Sequence, residues 1–352
     1  MLHSDLPFSS QSGGAAHPLP TAAHLAFPAL SAVLRAAGEA TRLRILALLA
    51  DAELTVSELT DILRQSQPRI SRHLRLLSQA GLVERFREGA WGFYRLAERG
   101  AAAALARELV GRLDPADATV GRDRERLAAV RAQRSAVAQA YFRRHAPQWD
   151  EIRRLHVADE AVEQAIVTAL AGAPIRALLD LGTGTGRILE LLAPAIERGL
   201  GLDLSLDMLA LARSRLDRLG LRHCSVRQGD IYNLALPKDS FDAVVIHQVL
   251  HFLDDGARAI AEAARVLRPG GRLLVIDFAP HQLEFLREQH AHRRLGFAPE
   301  TIEQWMKAAG LELVSHTRLS PDRSGADKIA VSLWLARDRR LLLAASAARE
   351  VA

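Results

Sequence analysis

Apolar positions recur along the chain with two different periods, and the change of period divides it. Between residues 25 and 50, Leu30, Val33, Leu34, Ala37, Leu43, Leu46 and Leu49 follow helical spacing, broken into two helices near Gly38. In "TVSELTDIL", Thr55 or Ser57 can cap a short helix, with Glu58 placed three residues after Thr55 as in a capping box. After the turn "RQSQ", "PRISRHLRLLSQAG" predicts a second short helix, with Ser66 as N-cap, Pro68 in the first turn and Gly81 as the stop. "LVERFREGAWGFYRLA" alternates and turns at Glu88-Gly89, which predicts a hairpin. Two short helices joined tightly and followed by a hairpin make a winged helix-turn-helix, expected over 25–108.

Residues 101–172 are almost entirely helical in pattern, with 114–123 as the candidate linker and 109–160 expected as a helical linker and pocket lid. From 176 the period alternates. Strands are expected near 176–181, 199–203, 223–227, 241–247, 271–278, 311–318 and 328–336, and helices near 187–195, 205–219, 256–268 and 299–309. That alternation predicts a doubly wound, Rossmann-like sheet over 161–340, and so a two-domain α/β protein. Residues 1–24, rich in Ser, Gly, Pro and His, are expected as a disordered tail without a secretory signal, and 341–352 as a second tail.

Composition adds little until charge is mapped. The chain is 49% hydrophobic and 25% charged, ordinary for a globular protein, and has no apolar run of membrane-spanning length. A single cysteine, Cys224, excludes an intrachain disulfide and fits a reducing cytoplasm. The net charge of +5 is focused: residues 64–99 hold eight Arg against three Glu, whereas 161–337 hold 21 of each sign. Such focusing marks a phosphate-binding surface. In a helix-turn-helix the second helix enters the major groove, which here presents Gln67, Arg69, Ser71, Arg72 and Arg75 to double-stranded DNA. Arg grips guanine and Gln grips adenine bidentately. Arg85 and Arg87 lie on the wing, while Ile70, Leu74 and Leu77 point inward. A winged helix that binds protein instead is disfavoured by arginine on the polar face.

A second chemistry sits in "LLDLGTGTGRILELLAP". Gly182, Gly184 and Gly186 form G-x-G-x-G, whereas the dinucleotide fingerprint places its third glycine one position later. Companion acids follow the predicted strands: Asp180 before the turn, Asp203 twenty-one residues past the first glycine, and Asp230 in "QGDIYNL". Asp203 can accept ribose hydroxyls, and Asp230 an adenine amine with Ile231 against the ring. Leu204 and Met208 complete that wall. No Walker lysine is present, and an acid beside the glycines would repel pyrophosphate. A cationic cofactor with ribose and adenine suits the set, namely S-adenosylmethionine, or its product S-adenosylhomocysteine. In "VIHQVLHFLDD", His247 and His251 are candidate general bases, or they simply close the pocket. Tyr141, Phe142 and Trp149 could form a lid or a linker core.

The stretch "ATRLRILALLADAELTVSELTDILRQSQPRISRHLRLLSQAGLVERFREGAWGFYRL" resembles the arsenic-repressor-type (ArsR-like) winged-helix family, homodimeric bacterial repressors. Many members sense metal through a Cys pair in the helix matched by "ELTVSELT". This chain has Thr55, Val56 and Ser57 there, so thiolate ligation is ruled out and no metal is expected. Residues 161–337 resemble the class I S-adenosylmethionine-dependent methyltransferases through "LLDLGTGTGR", "GLDLSLDMLALAR", "GDIYNLALPKDSFDAVVIHQVLHFL" and "VLRPGGRLLVIDF", in order. That resemblance implies a seven-stranded sheet with an antiparallel last strand, the glycine turn at the methionine end, Asp203 on ribose and Asp230 on adenine. No Asn/Asp-Pro-Pro-aromatic motif follows the fourth strand, which argues against adenine methylation in DNA. Cys224 is misplaced for a cytosine-C5 nucleophile, and one thiol is too few for arsenite. A small-molecule acceptor remains, as in the quinone-biosynthesis methyltransferases. Two functions stay open: a transcriptional regulator, a repressor, carrying a methyltransferase, or a transcription factor whose methyltransferase fold only senses the cofactor or its product. A dinucleotide oxidoreductase is disfavoured by the glycine spacing.

Overall fold

The computed structural model describes residues 24–88, 91–97, 99–146, 159–320 and 329–340. The expected tails, Gly89 of the hairpin turn and Trp149 of the proposed lid lie outside the described residues, apart from His24 at the end of the first tail.

The N-terminal unit comprises α1 (Phe27–Ala37), α2 (Ala40–Asp51), β1 (Leu54–Thr55), α3 (Val56–Leu63), α4 (Gln67–Gln79), β2 (Val83–Glu88), β3 (Trp91–Leu96) and α5 (Ala101–Gly111). The apolar stripes of the sequence meet in one core, where Ile45, Leu46, Leu59, Ile62, Ile70, Leu74 and Leu77 are fully buried. The capping box forms as its spacing dictates: the Glu58 amide donates to Thr55 Oγ1, and the Thr55 amide donates to Glu58 Oε2 at 2.8 Å. Ser66 stands at the α4 N-cap but makes no side-chain cap bond; Pro68, which brings no amide hydrogen, occupies that first turn. β1, β3 and β2 form a three-stranded antiparallel sheet in that order, with Phe86 opposite Phe93.

The interval expected as a linker becomes helix at its midpoint. Asp117 accepts the Thr119 and Val120 amides and so starts α6 (Ala118–His145), a single helix of 28 residues. Its first half belongs to the N-terminal unit, the DNA reader of the sequence-based expectation. Arg44 grips Asp123 through two bonds of 2.6 and 2.7 Å, Arg126 donates to Ile62 O, and Leu127 is buried in the reader's core.

The C-terminal unit follows with α7 (Asp159–Leu170), β4 (Ile175–Leu181), α8 (Arg187–Leu192), β5 (Ile196–Asp203), α9 (Leu206–Arg218), β6 (Cys224–Gln228) and β7 (Phe241–His247). It ends with α10 (Gly256–Val266), β8 (Leu267–Phe278), α11 (Phe285–Gln289), α12 (Pro299–Ala308), β9 (Leu311–Leu319) and β10 (Val331–Asp338). The sheet order is β6-β5-β4-β7-β8-β10-β9. The first five strands are parallel, and β10 runs antiparallel to both β8 and β9. Two apolar layers cover the faces, one gathering α10 and α12, the other α7 and α8. Strand order reverses between β4 and β7, and the crevice at their carboxyl ends is where such sheets take ligands.

Candidate cofactor pocket and nucleic-acid interface

Three left-handed glycines shape the turn after β4: Gly182 at φ 73°, Gly184 at 52° and Gly186 at 81°. In this region a Cβ is strained, so the turn depends on glycine. The Gly182 and Thr183 amides both donate to Leu202 O, at 2.8 and 2.9 Å, and strap the turn to β5. Gly182 and Gly184 line the pocket; Gly186 does not. A Cβ at Gly186 would stand 3.2 Å from the Ala212 Cβ, so the third glycine serves the approach of α8 to α9. Gly201, which the sequence reading passed over, gives Thr183 its space: a Cβ there would lie 2.5 Å from Thr183 Oγ1.

Asp180 is buried in the pocket wall and accepts a 2.6 Å bond from Thr183 Oγ1. Asp203 ends β5; its Oδ2 accepts the Gly184 amide at 2.9 Å and its Oδ1 the Ser205 amide at 2.8 Å. Burial pushes its carboxyl above the usual range, against those amide bonds. Two carboxylate oxygens offer about four acceptor sites, so backbone amides need not exhaust its capacity to accept from a diol. Leu204, Met208 and Ile231 line the same pocket. Asp230 is exposed at the rim, where Oδ1 accepts the Tyr232 amide at 2.9 Å, and does not line it.

The two histidines part company. His247 lines the pocket beside Gln248, whose backbone is held at φ 54°. His251 lies beneath the surface of the pocket, in the turn Leu250–Phe252. Its Nδ1 sits 2.8 Å from Oδ1 of the fully buried Asp277, and its ring packs on Phe252 and His292. Of the proposed lid, Phe142 lines the pocket, with its ring 4.8 Å from that of Phe252. Tyr141 turns away to His290 Nδ1 at 2.7 Å, and burial pushes its hydroxyl up to about 12. Sequence reasoning missed the remaining wall: Arg134, Ala138 and Gln139 from α6, with Tyr232 and Asp254 opposite. Their separation in the chain leaves no motif to find.

The N-terminal unit exposes the residues that the sequence singled out for DNA. On α4, Gln67, Arg69, Ser71, Arg72 and Arg75 are exposed, while Ile70, His73, Leu74 and Leu77 are buried. Arg85 and Arg87 are exposed on one face of β2. The opposite face of the hairpin docks on the sheet domain: Arg287 stacks 5.2 Å over Trp91, and Arg294 5.4 Å over Phe93. His73 was not singled out by the sequence. It packs under α4 with Nδ1 3.6 Å from Glu39 Oε2.

Among the described residues, no three His, Cys, Asp or Glu gather to hold a metal, and no helix is long and apolar enough to cross a membrane.

Residues 179–275 match the family described as "Methyltransferase domain", and 39–85 match "Bacterial regulatory protein, arsR family". A probable S-adenosylmethionine-dependent methyltransferase of Mycolicibacterium smegmatis is 36% identical, over 44% of this chain and 58% of its own. A demethylmenaquinone methyltransferase of Thermus thermophilus is 37% identical, over 40% of this chain and 64% of its own. A phosphatidylethanolamine N-methyltransferase of Cereibacter sphaeroides is 32% identical, over 41% of this chain and 74% of its own. The chain spans 34% to 64% of the length of four of the curated relatives it matches.

Proposed function

The chain belongs to the class I S-adenosylmethionine-dependent methyltransferases and carries an ArsR-family helix-turn-helix, and from that premise we propose a DNA-binding transcriptional repressor whose methyltransferase domain methylates a small molecule. The observation that carries this reading is Asp203. It ends β5, lines the crevice and holds the glycine turn through Gly184, an arrangement that suits a ribose and a sulfonium-bearing chain. Asp180 supplies a buried carboxyl group beside that turn for the cationic end. When bound, the cofactor supplies an activated methyl group. The protein's own contribution is to orient it, with His247 positioned in the wall to take a proton from the acceptor.

The acceptor end of the pocket is walled by Phe142, Phe252 and Gln139, which suits a small molecule with an apolar body and one polar group. The relatives acting on a quinone precursor and a lipid amine, by their names, lie in the same chemical range. The reader is proposed to act as a homodimer on a two-fold operator in the cytoplasm. Support comes from α1, which exposes Phe27, Leu30 and Leu34 along one face.

Calorimetric titration with S-adenosylmethionine and S-adenosylhomocysteine tests the pocket, and DNA duplexes selected by the protein from a random pool test the reader. Asp203→Ala is expected to weaken both nucleosides by about tenfold to a hundredfold, the range for loss of hydrogen bonds to a charged group. DNA affinity without ligand should stay unchanged. Undiminished nucleoside affinity in Asp203→Ala would remove Asp203 from the site. Failure of the folded protein to enrich any duplex would remove the regulator reading.

A further inference from the structure

A half-buried charged junction lies between the pocket and the helix-turn-helix unit. Arg134 of α6 lines the pocket and is 18% exposed. Its guanidinium bridges the two units: Nη2 pairs with Glu58 Oε1, and Nη1 donates to Asp254 Oδ1 at 2.8 Å. Glu58 is the capping-box acid that starts α3, so its other oxygen already holds the Thr55 amide. Asp254 also lines the pocket. It pairs with Arg293 at 2.6 Å, and its amide donates at 2.8 Å to the hydroxyl of Tyr232, another pocket residue.

The same turn reaches the wing. The amides of Arg293 and Arg294 both donate to His251 O, at 2.8 and 3.0 Å. Arg294 in turn pairs with Glu53 beside β1 and lies over Phe86 and Phe93. Gln248, Val249, Phe252, Leu253 and Asp254 therefore line the pocket, and the same turn reaches the first helix of the helix-turn-helix through Arg134 and the hairpin through Arg294.

We infer that Arg134, clamped between Glu58 and Asp254, couples occupancy of the cofactor pocket to the helix-turn-helix. The inference rests on the pocket's reading as a cofactor site. Any opening of the reader that breaks the Arg134 pairs also disturbs the pocket wall. A ligand that requires that wall must then oppose the opening, by linkage, with part of its own binding free energy. Glu58 makes no contribution to the pocket lining, so the reader's half of the clamp can be changed without touching the ligand's contacts.

The test is amide hydrogen exchange on the full chain with and without saturating S-adenosylhomocysteine, comparing the wild type with Glu58→Gln. The glutamine keeps a carbonyl oxygen for the Thr55 amide but carries no charge for Arg134. Glu58→Asp is a second variant, because the carboxylate shortened by one methylene keeps its charge but draws back from Arg134. In the wild type, ligand should slow exchange in residues 180–205 and, by about fivefold or more, in residues 56–63, the lower end of ordinary coupling. In both Glu58 variants, which leave the pocket lining unaltered, residues 180–205 should remain protected while 56–63 no longer respond. Equal responses of 56–63 in wild type and variants would overturn the role of Arg134. A protected pocket with a silent reader in the wild type would overturn the coupling altogether. Absence of protection at 180–205 would overturn the cofactor reading, and the coupling with it.

Discussion

At Gly201 the absence of one methyl group decides whether the glycine turn can close, because Thr183 occupies the space a Cβ would take. Gly201→Ala is therefore expected to destabilise the fold by about 1–3 kcal/mol, the usual cost of overpacking. Thermal unfolding should show the loss, and S-adenosylhomocysteine affinity should fall with it. Gly121 of α6 supplies the contrast: nothing lies within 4 Å of its Cβ position, so Gly121→Ala should stabilise the chain by about 0.5–1 kcal/mol. Legibility at this scale follows chain distance. Asp180, Gly182, Gly184 and Asp203 were readable because a turn and the next strand's end impose fixed local spacing. Asp230 was readable as a position, but its side chain closes its own turn onto Tyr232, and a string of letters does not show which way a carboxylate faces. Arg134 and Asp254 meet across 120 residues, and nothing local to either announces the other.

Among the elements, α4 combines an exposed arginine face with one buried polar residue, His73. Burial lowers its imidazole pKa, Glu39 opposes that shift, and Arg42, Arg69 and Arg72 add to it. The folded reader thus holds His73 neutral where the unfolded chain would protonate it. A base with a depressed folded value binds more protons when unfolded, so stability should decline as pH falls through the free imidazole value of about 6.5. Denaturant unfolding followed between pH 8 and 5 checks this, and His73→Leu should flatten the profile; an unchanged slope would clear His73. Helices and strands themselves were largely visible in the apolar periods, since each buries one face against a partner. Residues 118–123 were not: Asp and Gly in that stretch read as a linker, but Asp117 caps the helix and Arg44 holds Asp123, a pairing supplied from 79 residues away.

For the whole molecule, the reader and the sheet domain share α6 and the junction around Arg134, and linkage through them works in both directions. If an occupied pocket changes DNA affinity, DNA must change nucleoside affinity by the same factor. The 28 residues of α6 span about 42 Å at 1.5 Å each, and each residue turns the helix by about 100°. Arg124 and Arg126 fix its rotation against the reader, and Ala138 and Phe142 depend on that rotation to face the pocket. The helix is in effect an indexed shaft. One alanine inserted after Ala132 would swing the pocket-facing side chains by about 100° while leaving Asp203 and the glycine turn in place. Nucleosides should bind more weakly by calorimetry, since Arg134, Ala138 and Phe142 leave the wall, and at saturation hydrogen exchange in α3 should no longer answer them. Substitutions at exposed positions of α6 are then tolerable, whereas its length is not free to drift: what this helix conveys between the two domains is an angle.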